Sequence, residues 1–350
     1  MYENLLDKLS QEHVLSHDEY LMLLRHRDEV REYAATLARA ARQTCYRNKI
    51  YIRGLIEFTN YCKNNCLYCG IRGGNTKAQR YRLTPEEIES CAESGYVLGF
   101  RTFVMQGGED PFYTDGMLAN IISEIKRKHP DCAVTLSLGE RSRESYRLLR
   151  EAGADRYLLR HETVDPTHYR SLHPSGMSYE HRMQCIRDLQ ELGYQVGVGF
   201  MVGSPGQTDE MLAEELLFLK RLAPQMVGIG PFLPHRDTPL AKEPAGSAEL
   251  TTFLLSLIRL TLPEVLLPAT TALGTADPLG REKGILAGAN VLMPNLSPAG
   301  VRKKYLLYDN KICTGDEAAQ CIACLKRRVQ STGCEIVTDR GDHALLSTRN

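Results

Sequence analysis

Three cysteines, Cys62, Cys66 and Cys69, stand in the run Tyr61-Cys-Lys-Asn-Asn-Cys-Leu-Tyr-Cys-Gly70, a C-x3-C-x2-C spacing. Three thiolates on one short loop can hold three irons of a [4Fe–4S] cluster and leave the fourth iron open to a cofactor or substrate. Zinc is the competing reading. A structural zinc site takes four protein ligands, commonly as two C-x2-C pairs, and this run supplies three. Tyr61, Leu67, Tyr68 and Gly70 suit a loop wrapped around a bulky group.

Other residues with chemical use lie downstream. Gly107 and Gly108 let backbone come close to a ligand, and Glu109 beside them can accept hydrogen bonds from an ammonium group; alone, this run is also an ordinary turn after a strand. Arg160, His161 and Glu162 close the apolar run Tyr157-Leu-Leu159, as a solvated rim or as binding groups. Arg182 follows on a helix, where it either reaches a ligand or faces solvent. Gly199-Phe-Met201-Val202-Gly203 offers apolar side chains between glycines. Cys313, Cys321 and Cys324 form a second group, C-x7-C-x2-C, readable as a second Fe–S cluster, a zinc site or unligated thiols. Tyr305 and Tyr308 either pack in the core or cap a binding mouth. Cys45, Cys91, Cys132, Cys185 and Cys334 have no partner spacing and read as packing or surface thiols.

The elements that would position these residues repeat as strand then helix. Expected strands are 51–58, 102–106, 132–138, 155–160, 195–202, 226–232, 264–269 and 288–293. Expected helices are 84–99, 115–129, 142–152, 178–192, 208–222, 249–261 and 278–286. Eight such units predict an α/β fold, a complete (β/α)8 TIM barrel, with a doubly wound open sheet as the alternative. In such a barrel the active site lies at the C-terminal strand ends, where the chemical residues fall. Residues 1–48 read as an N-terminal helical extension over one barrel end, with Ser16 and Glu19 as a capping box; 49–300 is the barrel, and 301–350 a short C-terminal extension.

With 350 residues, 43 Lys plus Arg and 43 Asp plus Glu, the chain gives no nucleic-acid or anionic-membrane signal. Its start has no apolar signal core, and no apolar run has transmembrane length. Eleven scattered cysteines argue for metal ligands and free thiols in a reducing, cytoplasmic setting.

The cysteine loop and Gly107-Gly-Glu109 resemble the radical S-adenosylmethionine (SAM) superfamily. Beyond them, Tyr157-Leu-Leu-Arg-His-Glu-Thr163, Met201-Val-Gly-Ser-Pro-Gly-Gln-Thr208, Met226-Val-Gly-Ile-Gly-Pro-Phe-Leu-Pro-His235, Pro268-Ala-Thr-Thr-Ala-Leu-Gly274, Ala289-Asn-Val-Leu-Met-Pro-Asn295 and Lys311-Ile-Cys313 resemble the HydE family of [FeFe]-hydrogenase maturases. The resemblance covers about 50–325. It implies a [4Fe–4S] cluster on Cys62, Cys66 and Cys69 and SAM on the open iron. It also implies H-cluster assembly acting on an iron–cysteine complex that carries CO and cyanide, with HydG and HydF as partner maturases and an external electron donor. By the same resemblance, SAM or cavity contacts fall on Tyr68, Gly107, Gly108, Glu109, Thr135, Ser137, Arg160, Glu162, Arg182, Met201, Val202, Thr270 and Thr271, with Tyr305 and Tyr308 near the mouth. Amino-acid mutases of the methylornithine-synthase type and biotin synthases share the cysteine loop and are the alternatives.

Overall fold

Strands enclosed by helices outside and side chains inside are buried on both faces, so they read as near-continuous apolar runs. Gly54–Thr59 is buried at every position. It heads a parallel sheet that continues through Thr102–Gly107, Ala133–Ser137, Arg156–Leu158, Gln195–Val198 and Met226–Val227. Parallel bridges Met226 to Leu266, Pro268 to Val291 and Leu55 to Asn295 carry the ring back to its first strand. The computed structural model, which describes residues 2–314 and 322–347, is therefore the complete (β/α)8 barrel the repeat predicts.

The strands depart from their expected lengths where the backbone dictates it. The expected strand 264–269 is reduced to bridges at Leu266 and Pro268, because proline has no N–H for a ladder. The runs 195–202 and 226–232 each break into two short strands, Gln195–Val198 with Met201–Val202 and Met226–Val227 with Gly230–Pro231. The breaks sit where Gly199 and Gly228 pinch together; a Cβ on Gly199 would lie 2.0 Å from the Gly228 carbonyl oxygen.

The outer helices start where the sequence supplies caps. Thr84, Thr114, Ser142, Ser178, Thr208 and Ser247 each accept the backbone N–H three residues on, satisfying a donor the helix leaves free. The N-terminal helices Tyr2–Glu12, His17–Arg25 and Arg27–Tyr46 include the Ser16–Glu19 capping box. They lie along the flank formed by Asp209–Leu222 and Ala248–Thr261, not over an end of the barrel. Tyr20 Oη to Thr261 Oγ1 (2.8 Å) and Arg42 Nη1 to the Ile285 carbonyl (2.6 Å) fasten them there.

A C-terminal strap seals the opposite end from the strand tips. Glu335–Val337 pairs in parallel with Lys49–Tyr51. Beyond it, Asp342 receives Arg156 at 2.6 Å and Arg340 at 2.8 Å, while the Arg340 carbonyl accepts from Thr102 Oγ1 at 2.7 Å. Arg156 and Thr102 begin their strands, so the strap closes the N-terminal face of the barrel. No helix among the described residues is long and apolar enough to cross a membrane.

Candidate active site

The C-terminal strand ends surround a cavity of about 350 Å³. The cysteine loop forms one wall and is held by backbone bonds in many directions. Lys63 N–H donates to the Glu109 carbonyl (2.9 Å), Gly73 N–H to Asn64 (2.7 Å), Leu67 N–H to Leu172 (2.9 Å) and Gly70 N–H to Leu307 (2.8 Å). Arg80 gathers the loop from behind: its guanidinium donates to the carbonyls of Asn60, Ile71, Arg72 and Asn75. Gly108 has to be glycine, since a Cβ there would lie 2.2 Å from the Tyr61 carbonyl and 2.7 Å from Cys62 Cβ.

Cys62, Cys66 and Cys69 all line the cavity. Burial pushes the Cys69 thiol up to about 12, with nearby Cys62 adding to the rise. Burial also raises Cys66, with Cys69 and Cys62 contributing, and raises Cys62. Crowded, desolvated thiols of this kind become thiolates only beside a strong positive centre, which bound iron provides. The donor set therefore fits three irons of a cluster.

Across from the thiols, polar atoms converge from several strand ends. Glu109 Oε1 accepts the Glu140 N–H at 2.9 Å; its Oε2 lies 3.2 Å from Lys63 Nζ but has no hydrogen bond among the described residues. Arg160 Nη2 and Glu162 Oε2 sit 3.1 Å apart, each buried and misaligned for a hydrogen bond. Thr135 Oγ1 and Arg160 Nε are likewise buried with no hydrogen-bond partner among the described residues. Buried polar groups are nearly always paired, so a cluster of exceptions facing one cavity fits a polar ligand such as SAM.

Backbone strain supports the same region. Glu162 adopts φ 67°, a left-handed conformation that costs a non-glycine residue about 1–3 kcal/mol. Its N–H donates to the Gly199 carbonyl at 3.0 Å. Buried Glu215 clamps the residues around it, accepting from His161 Nε2 and the Val164 N–H, both at 2.7 Å. Gly139, at φ 71°, gives room to Glu109; a Cβ there would sit 2.2 Å from Glu109 Oε1.

Of the residues singled out by sequence, Tyr68, Gly107, Gly108, Glu109, Thr135, Ser137, Arg160, Glu162, Arg182, Met201, Thr270, Thr271, Tyr305 and Tyr308 also line the cavity. Arg182 is buried rather than on the surface, donating to Glu140 Oε1 at 2.6 Å and to the Arg160 carbonyl at 2.5 Å. Tyr68 Oη lies 3.3 Å from His173 Nε2. Because His173 Nδ1 faces the Tyr169 carbonyl at 2.9 Å, it is the donor, which leaves Nε2 to accept from Tyr68. Burial lowers His173 to about 4, so the ring is neutral.

Val202 does not fall in the cavity. Neighbouring strand residues point to opposite faces, so Met201 faces the cavity and Val202 is buried in the main core. Cys313 also lies outside the cavity lining, with Arg281 Nη2 3.2 Å from its sulfur. Cys324 lies in the first turn of the helix Ile322–Gln330, and Cys321 lies outside the described residues.

Sequence reasoning missed the buried pair inside this wall. Lys311 Nζ donates to Glu57 Oε1 at 2.5 Å and to the Tyr305 carbonyl at 2.9 Å, while Asn295 Nδ2 donates to Glu57 Oε2 at 2.7 Å. The signal was a lone carboxylate within the apolar run Tyr51–Phe58. Gln106, 3.4 Å from Tyr305 Oη, was missed as well.

Comparison with known proteins bears on this geometry. Residues 56–219 match the radical SAM superfamily. The [FeFe] hydrogenase maturase subunit HydE of Thermotoga maritima is 48% identical over 297 residues, 85% of this chain and 84% of that protein. The crystal structure of methylornithine synthase (PylB) superposes with a TM-score of 0.83 at 27% identity, covering 95% of this chain and 97% of that one. A HydG maturase structure shares the fold, with a TM-score of 0.81 at 21% identity over 96% of this chain and 75% of that one. The chain is a radical SAM enzyme and belongs to the HydE family.

Proposed function

We propose that this enzyme acts in assembly of the [FeFe]-hydrogenase H-cluster on a small iron–cysteine complex carrying CO and cyanide. Cys62, Cys66 and Cys69 would hold the [4Fe–4S] cluster. Tyr68, Gly107, Gly108, Glu109, Thr135, Ser137, Glu162, Arg182 and Met201 would bind SAM. When bound, cluster and SAM supply reductive cleavage to methionine and a 5′-deoxyadenosyl radical. The chain itself binds, orients and excludes. Glu109 accepts from the methionyl ammonium through the oxygen that has no hydrogen bond, and Glu162 accepts from ribose hydroxyls. Arg160 offers a planar fork of donors to an anionic substrate, and Thr270 and Thr271 add neutral ones. Tyr305, buried in the core, and Tyr308 line the cavity wall, and the cavity would keep water from a reactive intermediate. Partners on this reading are the HydG and HydF maturases and an electron donor. A second cluster at Cys313, Cys321 and Cys324 would be accessory.

The observation that carries the reading is the convergence of unbonded polar atoms of Glu109, Thr135, Arg160 and Glu162 on the cavity that also holds the three thiols. The test is anaerobic turnover of reconstituted, reduced protein with SAM and the iron complex, with lysine as a parallel substrate. Consumption of the complex with an adenosylated cysteine product, abolished by Cys62→Ala, is the expected result. Turnover of lysine alone would move the enzyme to the mutase class.

A further inference from the structure

We propose that the outer face of the cysteine loop is the docking site for an acidic one-electron carrier protein of the ferredoxin class. The proposal rests on the radical SAM reading of Cys62, Cys66 and Cys69.

A second cleft, about 470 Å³, opens on the outside of the barrel mouth. Gly70 and Ile71, the two residues after Cys69, lie in its wall, and Ile71 lines the inner cavity too. The backbone that carries the third cysteine is thus the partition between cleft and cavity. The partition is thin and tightly closed. Gly70 N–H donates to the Leu307 carbonyl at 2.8 Å, and a Cβ on Gly70 would lie 2.2 Å from the Leu306 carbonyl and 2.4 Å from the His235 ring. An electron delivered into the cleft would cross little more than one stretch of peptide to reach the Cys69 sulfur.

The rim selects the sign of the partner. Lys77 is paired with Asp237 at 2.8 Å and Arg236 with Asp309 at 2.9 Å. Lys303 and Lys304 complete the rim and have no ion-pair partner among the described residues. The cleft therefore carries uncompensated positive charge on a chain whose formal net charge is zero. Charges of this kind steer an oppositely charged protein and fix its orientation, and they fade with salt. Reductive cleavage of SAM consumes one electron: the reduced carrier is oxidised by one electron, the cluster is reduced by one, and no group is transferred between the proteins.

The test uses the full-length protein and a purified acidic [4Fe–4S] ferredoxin. Calorimetry should show binding that weakens at least tenfold in K303E/K304E and weakens with salt in the parent. Carbodiimide cross-linking should join ferredoxin carboxylates to Lys303 or Lys304. Cleavage of SAM driven by dithionite should be the same in both proteins, while cleavage driven by enzymatically reduced ferredoxin should fall about as far as binding does. R127E/K128E, at the far end of the barrel, should bind as the parent does. Equal ferredoxin affinity in K303E/K304E, cross-links confined to other surfaces, or equal weakening in R127E/K128E would overturn the proposal. Failure of dithionite to drive SAM cleavage in the parent would instead remove the radical SAM reading on which it rests.

Discussion

Lys311→Met isolates the Glu57 carboxylate inside the cavity wall. The two side chains are 5% and 1% exposed and 2.5 Å apart, so neither has solvent to fall back on. Removing one partner of a buried pair costs about 3–5 kcal/mol, because a charge is left buried without compensation. Asn295 still donates to Glu57 Oε2, which favours the lower half of that range. For a chain of this size, about 2 °C per kcal/mol is reasonable, giving a fall in unfolding midpoint of roughly 6–8 °C. Adding Glu57→Leu to Lys311→Met removes both charges and should recover most of the loss, since apolar replacement of a whole buried pair is often near neutral. Anaerobic calorimetry of the parent, the single and the double variant at one scan rate reads this directly. A single variant within about 1 kcal/mol of the parent, or a double variant no more stable than the single, would refute the argument.

Glu109→Gln should weaken SAM binding about 10- to 100-fold, the worth of a charged hydrogen bond, with little change in unfolding midpoint; unchanged affinity by equilibrium binding would remove Glu109 from the site. Gly139→Ala adds a methyl that would sit 2.2 Å from Glu109 Oε1 at φ 71°, so it should cost at least about tenfold in SAM affinity, and crystals showing Glu109 unmoved would contradict that. Burial alone would raise the Asp342 carboxyl, but Arg156 and Arg340 outweigh it and hold it well below the ordinary carboxylate range. Its contribution is therefore complete above the unfolded value of about 3.9 and is lost as pH falls through the lower folded value. Asp342→Asn should lower the midpoint at neutral pH and flatten the acid limb of a stability profile. Replacing Cys313, Cys321 and Cys324 together should leave SAM cleavage intact, and its loss in a rate assay would make that group functional.

Local features were the legible ones. Cys62, Cys66 and Cys69 are neighbours in the chain, so their spacing alone marks them as a metal-ligand set, with zinc left open beside an iron–sulfur cluster. Glu109 and Glu162 could be placed because each ends an apolar run, and barrel strands aim their C-terminal ends at one face. The pair Glu57–Lys311 joins residues 254 apart in sequence, and nothing in either neighbourhood encodes its partner. Strand lengths failed for a related reason: Pro268 and the Gly199–Gly228 pinch interrupt ladders that composition alone would extend. Met201 and Val202 are equally apolar, and only the register of the strand decides which one faces inward.

The C-terminal strap has a consequence for the order in which the molecule can be made. Lys49–Tyr51 emerges early in synthesis, yet among the described residues its outer edge is paired only by Glu335–Val337, and Arg156 gains Asp342 from a segment 186 residues later. Until that segment leaves the ribosome, the barrel has an open floor, an unpaired strand edge and an arginine without its carboxylate. Contacts of such high sequence separation form late and slowly, and open edges invite association between nascent chains. Sealing the floor is therefore a late event in folding, and agents that cover exposed strand edges during translation should raise the yield of folded protein more than they raise its final stability.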